Sequence, residues 1–188
     1  MPSAISPMQL MVGKLVGQGL VGLTTFLVYS ALGIFAAIQF GVMDFISPVT
    51  LGLLVVYFLM GYFMYAALFG AVGSAVSDMR EAQALQGPLF GVIALAVYPA
   101  IFAGMNDPNN TLSKVMSYVP VSIPFIMPMR VANPAEPATW PEIGASMLIG
   151  WGAVIALTWA SAKIFRVGVL MYGKPPSIMG LIKWIRYT

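Results

Sequence analysis

VTLGLLVVYFLMGYFMYAALFGAVGSAV, residues 49–76, runs for 28 positions without a charged side chain. A soluble helix of that length needs a polar face, whereas a bilayer core needs roughly 20 apolar residues per helix. The stretch therefore reads as a membrane-crossing helix. Three more segments read the same way, at about Leu15–Phe40, Leu85–Gly104 and Ile143–Phe165. The composition agrees. Of the 188 residues, 60% are hydrophobic and 8% are charged. Mean hydropathy is +0.89. Fifteen charged side chains cannot cover a chain of this size with a solvated surface, so lipid must. The expected fold is all-α: a polytopic membrane bundle of about four transmembrane helices, forming a single membrane domain over residues 1–188.

The breaks between these segments have turn chemistry. They are Gly41–Asp44 with Ser47-Pro48, then Ser77–Glu81, then a long Pro-rich stretch from Asn106 to Pro141. Lys and Arg set the orientation, because positively charged loops stay in the cytoplasm. With the N-terminus inside, Lys14, Arg80, Lys163, Arg166, Lys174, Lys183 and Arg186 fall inside. Lys114 and Arg130 fall outside. Both termini are thus expected on the cytoplasmic side of the plasma membrane. After Gly173-Lys174-Pro175-Pro176, the residues Ile178, Leu181, Ile182 and Ile185 recur at helical spacing, with Lys183 and Arg186 off that stripe. This reads as a C-terminal amphipathic helix on the inner membrane surface, with a frayed tail as the alternative.

Several chemistries are excluded. Without Cys or His there are no thiolate or imidazole metal sites, no Cys or His nucleophile and no disulfide; no metal site is expected. The basic residues form no stripe with interleaved aromatics, so nucleic acid is not an expected partner. No ionisable side chain falls near the middle of an expected helix, unlike the usual pattern of gradient-driven carriers. No loop of the form Gly-x-x-x-x-Gly-Lys-Ser/Thr is present to hold ATP phosphates. If the protein drives transport, a partner must supply the energy.

What remains is polar or conformational. Gln18, Thr24, Thr25, Tyr62 and Tyr65 enter the expected membrane segments, where they either line a path or make interhelical hydrogen bonds. Gly13 with Gly17, Gly70 with Ser74, and Gly87 with Gly91 are spaced for close helix approach, within one chain or across a dimer. In residues 119–130 (VPVSIPFIMPMR), Pro120, Pro124 and Pro128 fall every fourth residue. Prolines lack an amide donor and crowd the preceding turn, so short helices or a re-entrant dip are expected on the outer side. Pro120, Pro124, Phe125, Pro128 and Arg130 mark that segment. It either caps a pathway or is an irregular interfacial connector. Asn109-Asn110-Thr111 matches a glycosylation acceptor, but nothing else in the sequence points to a glycosylating host.

Four stretches resemble type-2 ABC exporter permeases. Residues 7–17 (PMQLMVGKLVG), followed by GLVGL from Gly19, resemble the entry to their third helix. Residues 73–88 (GSAVSDMREAQALQGP) look like a small cytoplasmic turn. Residues 119–130 look like the outer re-entrant segment, and residues 164–177 (IFRVGVLMYGKPPS) like the C-terminal end. The sodium-extrusion type is the nearest subgroup. Such permeases usually have six membrane helices, so the chain resembles their C-terminal portion. The resemblance implies a permease subunit of an ATP-driven exporter, with sodium as the subgroup's cargo. It implies a cytoplasmic ATPase subunit and a second permease unit as partners, no cofactor in this chain, and ATP and magnesium brought by the ATPase. It places the ATPase contact at Gln9, Leu10, Met11, Gly13 and Lys14, with Asp78, Arg80 and Glu81 nearby. The alternative is a membrane structural or assembly protein without transport activity. A membrane-embedded enzyme is the third reading, disfavoured because little is left to act as base or nucleophile.

Overall fold

A computed structural model of the protein describes residues 7–41, 47–76 and 79–170. Six helices lie among them, and four are long and apolar enough to cross a membrane. The chain divides into two compact units, residues 1–47 and 48–188.

The first unit holds α1, Pro7–Gln39. Pro7 sits at its first position, where the missing amide donor costs nothing. Gly41 ends it with φ +66°, a conformation open to glycine, and its amide donates to the Ile38 carbonyl. The apolar window Gly19–Ala36 has no residue buried within the protein, as befits a helix clothed by lipid. α1 begins well before Leu15, the expected start of the apolar span, so residues 9–14 belong to the helix.

The second unit contains the other five helices: α2 (Pro48–Ala75), α3 (Met79–Asn106), α4 (Thr111–Met116), α5 (Ile123–Val131) and α6 (Trp140–Leu170). α3 corrects the sequence reading, which placed Arg80 and Glu81 in a loop and began the helix at Leu85. Ala82-Gln83-Ala84-Leu85-Gln86 are strong helix formers, and Glu81 suits the positive end of the helix dipole. Pro88 and Pro99 are carried inside α3 without ending it, as membrane helices tolerate.

The Pro-rich stretch folds as expected into short helices. Asn110 caps α4, its Oδ1 accepting from the Ser113 amide at 2.9 Å. Pro124 lies in the first turn of α5, where no amide bond is lost, and only Pro128 is internal. α5 packs on α2, α3 and α6, and the core forms around it. Tyr57, Met60 and Met64 of α2 meet Ile123, Met127 and Val131 of α5, with Ile143 and Val154 of α6 completing the cluster.

Glycines set the closest approaches, but not the ones the spacing singled out. Gly17, Gly70, Gly87 and Gly91 have open space where a Cβ would point. At Gly61 a Cβ would stand 2.9 Å from Cβ of Pro124, and at Gly150 it would overlap the Met60 thioether. Gly104 faces Ser113 Oγ and the Met129 methyl. These three positions let α2, α3, α5 and α6 close around the connector. The region expected to form the C-terminal amphipathic helix lies outside the described residues.

Candidate functional site

The connector between α3 and α6 is organised around one side chain. Arg130, near the end of α5, is only 1% exposed. Burying a guanidinium is costly unless it is paired and hydrogen-bonded. Here each nitrogen has a partner. Nε donates to Asn109 Oδ1 at 3.0 Å. Nη1 donates to Ser117 Oγ at 3.1 Å, and Nη2 to Glu142 Oε1 at 2.5 Å. The planar fork of arginine reaches three directions at once, which a lysine ammonium on the same stem would not. Arg130 thus ties the α3–α4 turn, the end of α4 and the start of α6 to α5. Its own carbonyl accepts from the Ala138 amide at 3.1 Å, closing the loop that leads to α6.

Glu142 is positioned independently. Thr139-Trp140-Pro141-Glu142 has the spacing of a helix capping box. Glu142 Oε2 accepts from the Thr139 amide at 2.9 Å and from its hydroxyl at 3.0 Å. The carboxylate is therefore held by the helix start as well as by Arg130. Asn109 is held too, its Nδ2 donating to the Glu136 carbonyl at 2.7 Å. Beside the guanidinium lies a cleft of about 270 Å³, lined by Asn109, Lys114, Arg130, Glu136, Thr139 and Glu142 together with Pro137.

Two further polar groups, Tyr65 and Ser113, fasten the connector to the bundle, while Ser117 bonds within it. Tyr65 Oη donates to the Val121 carbonyl at 2.6 Å. Ser113 Oγ donates to the Ala100 carbonyl at 3.3 Å, and Ser117 Oγ to the Ser113 carbonyl at 2.7 Å. Deeper down, the Tyr57 hydroxyl lies 2.7 Å from Ser146 Oγ, which itself donates to the Ile143 carbonyl. Among the described residues, no buried side-chain nitrogen or oxygen lacks a hydrogen-bond partner. Nor do any three acidic side chains there gather closely enough to hold a metal ion.

The residues singled out by sequence fall into separate places. Pro120 lies between α4 and α5, and Pro124 against Gly61. Phe125 is exposed with its ring 5.8 Å from that of Tyr65, while Pro128 lies within α5. Tyr65 serves the connector, whereas Tyr62 sits edge-on to Phe63. Thr24 and Thr25, in the first unit, donate to the Leu20 and Val21 carbonyls of their own helix at 2.8 and 2.9 Å. Gln9, Leu10, Met11, Gly13 and Lys14 fall on the first two turns of α1; their side chains, that of Gln18, and Asp78 lie outside the described residues. Arg80 and Glu81 open α3, with Arg80 exposed. Sequence reading missed Asn109 and Glu142 as partners of Arg130, although the capping-box spacing was there to mark Glu142.

Comparison with known proteins places the chain. The model of the ABC-2 family transporter proteins matches residues 1–163. The uncharacterized protein YhaP of Bacillus subtilis (strain 168) is 29% identical over 196 residues, covering 98% of this chain and 46% of the relative. The uncharacterized protein MJ1024 of Methanocaldococcus jannaschii is 28% identical over 178 residues, covering 94% of this chain and 42% of the relative. The chain thus spans less than half the length of these two curated relatives. No solved structure matches.

Proposed function

The chain belongs to the ABC-2 family of transporter proteins, and on that premise we propose that it forms membrane-spanning substance of the permease subunit of an ATP-driven exporter. The observation that carries this reading is the family match over residues 1–163, which encloses three of the apolar spans whole and nearly all of the fourth. The sequence has no loop for ATP phosphates, so hydrolysis belongs to a separate cytoplasmic ATPase subunit that brings ATP and magnesium. The permease performs no hydrolysis itself. Both termini face the cytoplasm, a second permease unit completes the path, and Gln9–Lys14 with Asp78–Glu81 meet the ATPase. The small-residue positions Gly17, Gly70, Gly87 and Gly91, open in this chain, leave room for close approach by a neighbouring helix.

Sodium is the cargo favoured by the resemblance to sodium-extrusion permeases. No acidic pair crosses the membrane segments, so carbonyl and hydroxyl oxygens would do the coordinating. Thr24, Thr25 and Tyr62 are exposed or half-exposed hydroxyl groups within the spans and are the pathway residues of this reading.

The test is co-purification in detergent with the ATPase encoded beside the gene, followed by sodium efflux from proteoliposomes. Wild type is compared with a variant scrambled over Gln9–Lys14 that still inserts. Binding and ATP-dependent efflux lost on scrambling support the reading. Absence of ATPase binding by the wild-type complex overturns it in favour of a structural membrane protein. ATPase binding with no sodium flux removes only the cargo.

A further inference from the structure

We propose that the cleft beside Arg130 binds a phosphoethanolamine headgroup, supplied by a membrane phospholipid. The inference stands on the connector and is independent of transport. Four charged side chains line the cleft, but two of them are committed to each other. Arg130 and Glu142 form an ion pair, and Glu142 is also bonded to Thr139, so this pair adds no net charge to the floor. Lys114 and Glu136 are left. Both are exposed, and among the described residues neither side chain enters an ion pair. The cleft therefore offers one available cation and one available anion across a volume of about 270 Å³.

A ligand that satisfies both must carry both charges. Phosphate suits Lys114, and a primary ammonium suits the Glu136 carboxylate, to which it can donate hydrogen bonds. A purely anionic headgroup meets Glu136 as a like charge. A quaternary ammonium has no proton to donate to it.

The position of the cleft identifies the source. It lies between the end of the α3 span at Asn106 and the start of the α6 span at Trp140. That is headgroup depth, where tryptophan and tyrosine concentrate. Trp140, next to Thr139 in the cleft wall, is 69% exposed, and Tyr118 is exposed at the end of α4.

The experiment is native mass spectrometry of the full chain in detergent, titrated with phosphatidylethanolamine, phosphatidylcholine or phosphatidylglycerol. Phosphatidylethanolamine is expected to bind most tightly. Lys114→Gln and Glu136→Gln should each weaken it about tenfold, as expected for losing one charge-assisted hydrogen bond. Lys114→Arg should retain it. Both positions are at the surface, and an unchanged thermal melt will show that the variants fold. Equal binding of all three lipids, or no effect of Glu136→Gln, overturns the proposal. Saturation by free glycerophosphoethanolamine at the lipid's own concentration overturns the assignment to a membrane lipid.

Discussion

Arg130 Nη2 donates to Glu142 Oε1 at 2.5 Å, joining the end of α5 to the first turn of α6. The eight residues between α5 and α6, 132–139, contain Pro134 and Pro137 and form no regular helix of their own. The loop is closed instead by this ion pair and by the Ala138 amide bonded to the Arg130 carbonyl. An ion pair gives little when exposed, because water and salt screen it. This one is different, since the guanidinium is enclosed and has two neutral acceptors besides the carboxylate.

Arg130→Leu should therefore destabilise the protein by about 3 kcal/mol, the cost typical of breaking a buried pair. Arg130→Lys should recover little of it, because one ammonium cannot satisfy Asn109, Ser117 and Glu142 together. Glu142→Gln should cost less, since its one amide oxygen can still accept from Arg130 while its NH2 donates to the Thr139 hydroxyl, leaving only the Thr139 amide without its acceptor. Chemical unfolding in mild detergent will order the three variants. Equal stability of Arg130→Leu and wild type would sink the view that the arginine organises the connector.

Gly61 makes a second prediction. A Cβ there would stand 2.9 Å from the Pro124 ring, which cannot swing aside as a flexible side chain would. Gly61→Val should cost about 1–3 kcal/mol by overpacking. Gly87→Ala, with open space around it, should be neutral or slightly stabilising because alanine favours helix. Thermal melts of the two variants should move apart. Equal melting temperatures would show that the α2–α5 approach has slack.

These glycines show where the sequence was legible and where it was not. Four apolar segments announced the spans, because lipid leaves each helix to satisfy its own backbone and length suffices. The three spaced prolines announced short helices for the same reason. Contacts were harder. The Gly-x-x-x-Gly spacing is local, and it drew attention to Gly87 and Gly91, whereas Gly61, Gly104 and Gly150 stand opposite residues tens of positions away or on other helices. Arg130 read as an outer basic residue because its partners, Asn109 and Glu142, lie 21 and 12 positions away. Only Thr139-x-x-Glu142 left a local trace, and it spoke of a helix start rather than of the arginine. Helix α3 starts earlier than read because Asp78 to Glu81 look like a turn, while the formers that follow continue the helix back to Met79.

Tyr65 and Tyr62 separate tethering from transport. Tyr65→Phe removes the hydroxyl that donates to the Val121 carbonyl and should speed hydrogen exchange at residues 121–123. The stability cost should be about 1 kcal/mol. Tyr62 has an aromatic neighbour in Phe63 that phenylalanine can keep, so Tyr62→Phe should leave exchange there unchanged. If transport falls in Tyr62→Phe with exchange unaltered, the hydroxyl acts on the cargo. If exchange in the connector rises in both variants alike, the distinction fails.

Orientation calls for its own test. Counting bare charges put two basic residues outside, Lys114 and Arg130. Arg130 is enclosed and neutralised by Glu142, so among the described residues Lys114 alone is left as an exposed basic residue of the connector. The orientation rule counts basic residues and not net charge, so the ion pair leaves the expected bias toward the side of Arg80 unchanged. Helix α3 has 28 residues and is ~42 Å long, enough to hold its two ends on opposite faces of a bilayer. The sequence contains no cysteine, so single introduced thiols report without background. Arg80 and Glu136 are both exposed and lie beyond opposite ends of α3's apolar run. Arg80→Cys should react with a membrane-impermeant maleimide only in inverted vesicles, and Glu136→Cys only in intact cells. The reverse pattern would invert the topology and remove the proposed ATPase contact from Arg80 and Glu81. Labelling of both from one side would mean that α3 does not span the membrane, and a permease reading built on four crossings would fall with it.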